Sequence, residues 1–165
     1  MKTFTTLLLL LFTASLYAQT SKMDAILMQD VRLAYEGHND KSDSFTTNVR
    51  LVNRWNAKDT KLGNFFLAPE VEYADLEIQY IRYAGSIGFR FNTFTDRLKV
   101  SLSGGVGLIN REGASYSSYS GDVTIQYYIS KGIALTLSNQ TLQRQDVKSK
   151  DFVNSNFFGL TFKLF

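Results

Sequence analysis

Apolar and polar residues alternate along most of this chain, and its charged residues keep to one phase of the alternation. Successive side chains of a β-strand point to opposite faces, so an alternating segment predicts a strand with one apolar face. No segment after residue 18 shows a sustained helical period. We predict eight strands, at about residues 25–36, 45–56, 64–74, 78–92, 97–109, 117–129, 133–141 and 154–165.

The two phases differ in chemistry. The apolar phase, which in strand five contains Leu98, Val100, Leu102, Val106 and Leu108, includes no acidic or basic residue in any strand. Lys or Arg facing lipid at the middle of a bilayer costs about 2–4 kcal/mol, so a lipid-facing surface must exclude it. A soluble barrel has the opposite orientation, with its apolar residues inside. The opposite phase holds Asp30, Arg32, Arg50, Arg54, Glu70, Glu72, Arg82, Arg90, Lys99, Asp122 and Lys163.

The N-terminus has the features of a cleaved signal peptide. Lys2 supplies a positive start, Leu7 to Phe12 form an apolar centre, and Ser15 and Ala18 are small residues of the kind found at cleavage sites. The apolar run is far shorter than the ~20 residues that a membrane-spanning helix needs. We therefore predict a signal peptide at residues 1–18 and one domain at residues 19–165.

Aromatic residues and connecting segments favour a membrane barrel over a soluble one. Segments 37–44, 110–116 and 142–153 are long and polar, whereas 57–63, 93–96 and 130–132 are mostly shorter, as in outer-membrane barrels with long external loops. The link near residues 74–77 should also be external. Amphipathic rings favour the headgroup level of a membrane, and aromatics lie near the predicted strand ends. These are Trp55, Phe91, Tyr127 and Phe162 at one end and Tyr35, Tyr73 and Tyr119 at the other.

On these grounds the chain resembles the small eight-stranded outer-membrane β-barrel proteins. The resemblance covers the whole chain after residue 18, and its most specific part is the terminal strand, with alternating Phe158, Leu160, Phe162 and Leu164 and a final Phe165. It implies an all-β, eight-stranded antiparallel up-and-down transmembrane barrel, porin-like in fold, in the outer membrane of a Gram-negative cell. Outer-membrane lipid and the barrel assembly machinery are the expected partners.

The lumen of such a barrel is just wide enough for side chains to fill it. Buried charges must be paired, so we predict a lumen charge network of Arg50, Glu70, Glu72, Arg82 and Arg90. With a hairpin apex near residue 76, Glu70 and Arg82 become cross-strand neighbours. A closed lumen is the main interpretation, and a proton or ion path is the alternative.

Three functions remain open at this stage. The first is a non-enzymatic outer-membrane protein that is structural or makes contacts through its external loops. The second is a lipid-modifying enzyme, because some proteins of the resembled family modify lipid A; it would use His38 with Asp40, Ser42, Asp43 and Ser44. The third is a soluble exported barrel that binds an apolar ligand.

Composition argues against several other classes. The chain has no cysteine, which excludes disulfides and thiolate metal sites, and a single His cannot build a typical zinc site. Without residues 1–18 there are 17 Lys and Arg against 15 Asp and Glu, a formal charge of +2. This charge gives no argument for binding nucleic acid. We predict no catalytic, cofactor or metal residues beyond the His38 alternative.

Overall fold

Eight antiparallel strands form one closed barrel in the computed structural model, which describes residues 22–36, 46–57, 59–76, 79–92, 95–145 and 152–164. Each strand pairs with its neighbour in the chain, and β1 closes the barrel by pairing with β8. The predicted fold class is confirmed. The strands are β1 Lys22–Asp30, β2 Asn48–Asn56, β3 Gly63–Ala74, β4 Tyr80–Asn92, β5 Leu98–Arg111, β6 Ala114–Tyr128, β7 Ile133–Arg144 and β8 Phe152–Lys163.

The apolar phase of the strands faces outwards and the charged phase faces the lumen. Leu27, Leu102 and Leu137 are each about half exposed on the exterior, whereas Arg50 and Arg82 are buried in the lumen. This is the orientation that a lipid-facing barrel requires and the reverse of a soluble barrel. It contradicts the alternative of a soluble barrel with an apolar, ligand-binding interior. Among the described residues, no helix has the length and apolar character needed to cross a membrane.

The barrel has two distinct rims. We call the rim at which β1 begins and β8 ends the terminal rim, and the opposite one the loop rim. Exposed exterior aromatics occur near both: Phe91, Tyr127 and Phe162 near the terminal rim, and Tyr73 and Tyr119 nearer the loop rim. The predicted signal peptide and the His38 loop lie outside the described residues.

The first strand is shorter than the sequence predicts. It ends at Asp30, and residues Val31–Glu36 form a short helix, α1, instead of continuing the strand. The Asp30 carboxylate accepts hydrogen bonds from the backbone N–H groups of Arg32 (2.9 Å) and Leu33 (3.2 Å), as an N-cap does. Leu33 is therefore buried, although the alternating pattern had assigned it to the lipid-facing surface.

Because β1 ends early, it pairs with only part of β8. Seven residue pairs join β1 to β8, the last being Asp30 with Phe157, whereas fourteen pairs join β5 to β6. Beyond Phe157, β8 continues to Phe152 and pairs there with β7. Helix α1 lies beside this part of β8.

Two predicted connections differ from the structure. The link predicted at 110–116 is a tight turn at Glu112 and Gly113, with positive φ angles of 51° and 79°, as in hairpins whose turn follows the strand twist. The β3–β4 register pairs Glu72 with Arg82, so the predicted pairing of Glu70 with Arg82 is wrong by two residues. An even shift leaves every side chain on its predicted face.

Candidate functional site

Arg50 forms an ionic bridge across the lumen. It projects from β2, and its Nη2 lies 2.7 Å from Glu70 Oε2 on the adjacent strand β3. Its Nη1 lies 2.5 Å from Asp122 Oδ1, on β6 at the far side of the barrel. All three side chains are almost fully buried. Two carboxylates held by one guanidinium group link opposite walls of the barrel.

Arg82 extends the network towards the loop rim. Its Nη1 lies 3.5 Å from Glu70 Oε2 and 3.9 Å from Glu72 Oε2. Its Nε and Nη2 donate hydrogen bonds to the hydroxyl groups of Ser118 (3.0 Å) and Ser120 (2.9 Å) on β6. The structure thus brings Arg50, Glu70, Glu72 and Arg82 into one continuous cluster.

Tyr80 completes this cluster, and the sequence patterns did not point to it. Its buried hydroxyl donates a 2.5 Å hydrogen bond to Glu72 Oε1. The guanidinium group of Arg144 stacks on the Tyr80 ring, 4.4 Å from its centroid. Tyr80 was predicted to lie within a strand, and only its inward phase distinguishes it from the lipid-facing tyrosines.

Arg90 lies apart from this cluster, contrary to the predicted network. Its Nη1 is 3.0 Å from Asp24 Oδ2, and its Nε donates a 3.1 Å hydrogen bond to Asn64 Oδ1. Asn64 is its cross-strand neighbour, eight residues along β3 from Glu72 and closer to the terminal rim. Asp24 was absent from the predicted network because strand one was predicted to begin one residue later.

The lumen also has an apolar side. The sequence patterns described the inward-facing residues only by their charges and did not predict it. The guanidinium carbon of Arg54 lies 4.2 Å from the centroid of the Phe66 ring, and the guanidinium carbon of Arg50 lies 5.6 Å from the centroid of the Phe157 ring. Cationic groups stacked on aromatic faces are stabilised electrostatically as well as packed. One buried apolar cluster comprises Ile26, Met28, Val52, Phe66, Ala68 and Phe157, and a second comprises Ala74, Tyr80, Ile109 and Leu142.

The arrangement fills the middle of the barrel. A cavity between Arg50, Arg54 and Glu70 measures about 10 Å³, which is room for roughly one water molecule. The Arg54 Nε has no hydrogen-bond partner there. Among the described residues, five arginines are buried, at positions 50, 54, 82, 90 and 144, and so are five carboxylates, at 24, 30, 70, 72 and 122. Over the described part of the chain, no three His, Cys, Asp or Glu side chains are grouped to hold a metal ion.

Several solved membrane barrels share this architecture. A barrel described under "De novo design of transmembrane beta-barrels" is 10% identical, with a TM-score of 0.55 over 87% of this chain and 95% of that chain. The Yersinia pestis outer membrane protein Ail, determined in a phospholipid bilayer nanodisc, is 14% identical, with a TM-score of 0.55 over 87% of this chain and 98% of that chain. The outer membrane enzyme PagL is 11% identical, with a TM-score of 0.50 over 87% of this chain and 99% of that chain.

At these identities the likeness concerns the fold. No protein-family model matches the chain, and no curated protein matches its sequence. The similar barrels include an enzyme, PagL, so the shared fold does not specify a chemical activity. The polar lumen, the apolar exterior and the solved structures agree, and the chain has the fold of the small eight-stranded outer-membrane β-barrels.

Proposed function

We propose that this protein is an integral outer-membrane barrel with a closed lumen, which acts structurally or through contacts made by its external loops. Export by the signal peptide at residues 1–18 and insertion by the barrel assembly machinery are part of the proposal. The terminal rim would face the periplasm and the loop rim the outside. The exposed apolar exterior supports the membrane location, because a surface of this extent is unfavourable in water.

The filled lumen is the observation that carries the closed-barrel function. Arg50 bridges β2 to β6 through Glu70 and Asp122, so charged side chains cross the bore instead of lining an open path. A water-filled channel needs a wider barrel or an emptier interior. Over the residues that the structure describes, the buried acids and bases are equal in number, so together they carry no formal net charge with which to select ions.

Conductance across a planar lipid bilayer tests this function. The chain without residues 1–18 should give no sustained ionic conductance. A triple variant, Arg50→Ala with Arg54→Ala and Arg82→Ala, removes the side chains that cross the bore and should conduct if it folds. Folding of both proteins is checked by heat-modifiable migration. Stable unitary currents from the unaltered chain would refute the closed lumen.

A non-enzymatic role makes a separate prediction about lipid A. Replacing His38 with Ala should leave lipid A from cells that produce the protein the same as with the unaltered chain. His38→Gln serves as the matched control for the loss of side-chain volume. A change in lipid A acylation that depends on His38 would instead support the enzymatic alternative.

A further inference from the structure

The lipid-facing exterior is interrupted by uncharged polar side chains on β7 and β8. Asn139 Nδ2 donates a 2.8 Å hydrogen bond to Asn156 Oδ1, and Thr141 Oγ1 donates one of the same length to Asn154 Oδ1. All four side chains are exposed on the outer face of the barrel. We call Asn139, Thr141, Asn154 and Asn156 the polar patch.

The polar patch lies at the depth of the hydrocarbon belt. On the side of the loop rim it is bounded by a row in which the partly exposed Gln143 lies between Tyr119 and Phe152, which are 51% and 63% exposed. On the other side it is bounded by Leu137 and Phe158, which are also exposed. Large aromatic or apolar exterior side chains therefore lie on both sides of the patch, which places it within the membrane and not above it.

The two internal hydrogen bonds leave part of the patch unsatisfied. They use the Oδ1 atoms of Asn154 and Asn156 and leave the NH₂ groups of both residues as donors, while the Oδ1 of Asn139 remains an acceptor. Within the described residues these groups make no other hydrogen bond. Lipid tails offer no partners, so polar side chains at this depth are generally found where another protein surface covers them.

A glycine beside the patch leaves space for close approach. Gly121 on β6 is the cross-strand neighbour of Thr141, and a Cβ atom built on it would meet no atom within 4 Å. The packing of this chain therefore does not require glycine there. Small residues beside polar ones are typical of surfaces at which membrane-spanning segments associate closely.

We infer that the polar patch is the contact surface of a homodimer in the membrane, with a second copy of this chain as its occupant. The patch is uncharged and carries donors and acceptors together, so it is complementary to itself. Two copies related by a twofold axis would each supply the partners that the other lacks. This inference rests on the proposed membrane location but not on the closed lumen.

Site-directed disulfide cross-linking tests the inference. The chain has no native cysteine, so any disulfide between two copies must involve the introduced residue. Single variants Asn139→Cys, Asn154→Cys and Asn156→Cys are produced in cells and oxidised in isolated outer membranes. Ile87→Cys, on the exterior of β4, is the matched control. We expect a species of twice the monomer mass from at least one patch variant and not from the control.

Three results would overturn the homodimer. They are no cross-link at any patch position, equal cross-linking at Ile87, or a product whose mass corresponds to a different protein. A second variant, Asn139→Leu with Thr141→Val, Asn154→Leu and Asn156→Leu, should migrate as a folded, heat-modifiable monomer in mild detergent. Persistence of the dimer in this variant would also contradict the inference. Absence of the chain from the membrane fraction would instead contradict the proposed location.

Discussion

At the residue scale, each buried charge in the lumen depends on a small number of named atoms. Glu72 is an example, because its Oε2 makes no hydrogen bond and lies 3.9 Å from Arg82, while its Oε1 accepts the hydroxyl of Tyr80. A buried carboxylate that loses such a donor bears the full cost of its desolvation. The partners of the lumen charges therefore matter more for stability than the charges themselves.

Replacing Tyr80 with Phe should destabilise the barrel by about 1–3 kcal/mol, because it leaves Glu72 buried without a strong donor. The measurement is urea unfolding in lipid vesicles. Tyr83→Phe removes the same atom from a residue on the exterior of β4 and should change stability by less than about 0.5 kcal/mol. Equal losses in both variants would show that the Tyr80–Glu72 bond does not contribute.

Glycine substitution separates positions where the backbone needs space from positions where it does not. Gly159→Ala should destabilise the fold by about 1–3 kcal/mol, because the new methyl group would overlap the Leu27 carbonyl oxygen and Met28 Cα on β1. Gly121→Ala meets open space and should be neutral or stabilising by up to about 1 kcal/mol when measured on the monomer. Thermal unfolding of the two variants in detergent gives the comparison, and similar melting temperatures would contradict it.

At the scale of the strands, the apolar face is a property of each element as a whole. In β5, Leu102 and Asn110 both point outwards, but Leu102 lies in the middle of the strand and Asn110 lies beside the loop-rim turn. A charge on the lipid face is costly at the midplane and tolerated near the interface. Depth along a strand should therefore decide the effect of a charge, once its face is fixed.

Leu102→Arg should destabilise the folded barrel by about 2–4 kcal/mol and lower the yield of inserted protein, whereas Asn110→Arg should destabilise it by about 0–1 kcal/mol. Both variants add the same side chain to the same face of the same strand. Heat-modifiable migration and vesicle refolding measure the folded fraction. If Asn110→Arg were as harmful as Leu102→Arg, the placement of the membrane on β5 would be wrong.

Strand number could be predicted from the alternating segments and the polar links between them, and facing from the period of two, since one phase excludes charge. Helix α1 could not, since Val31 and Leu33 alternate as they would in a strand, and the capping hydrogen bonds of the Asp30 carboxylate are visible only in the structure. The Arg50–Asp122 contact was also missed. Register relates adjacent strands, whereas contacts across a lumen depend on how the whole sheet closes.

At the scale of the whole molecule, the barrel reverses the usual distribution of a soluble protein. Charged and hydroxyl side chains share its interior with two apolar clusters, and the exterior is largely apolar. Every backbone group that crosses a bilayer must be bonded within the protein, which a closed barrel achieves. The polar patch on β7 and β8 is a local departure from this distribution.

Amide hydrogen exchange should show where the closure of the barrel is incomplete. Within residues 152–156 of β8, the N–H groups directed towards β7 should be protected and those directed towards β1 should exchange fast, because β1 ends at Asp30. In residues 157–163 both sets should be protected. Uniform protection through 152–156 would contradict this expectation.

The early end of β1 therefore has a mechanical consequence. Seven pairs join β1 to β8 and seven join β2 to β3, against fourteen between β5 and β6, so thermal fluctuations should separate the wall first beside β1 and β2. Along the seam between β1 and β8, opening would begin at the end beside α1 and proceed towards the terminal rim. The same seam joins the two strands that lie farthest apart in the sequence, so we expect it to form late in folding.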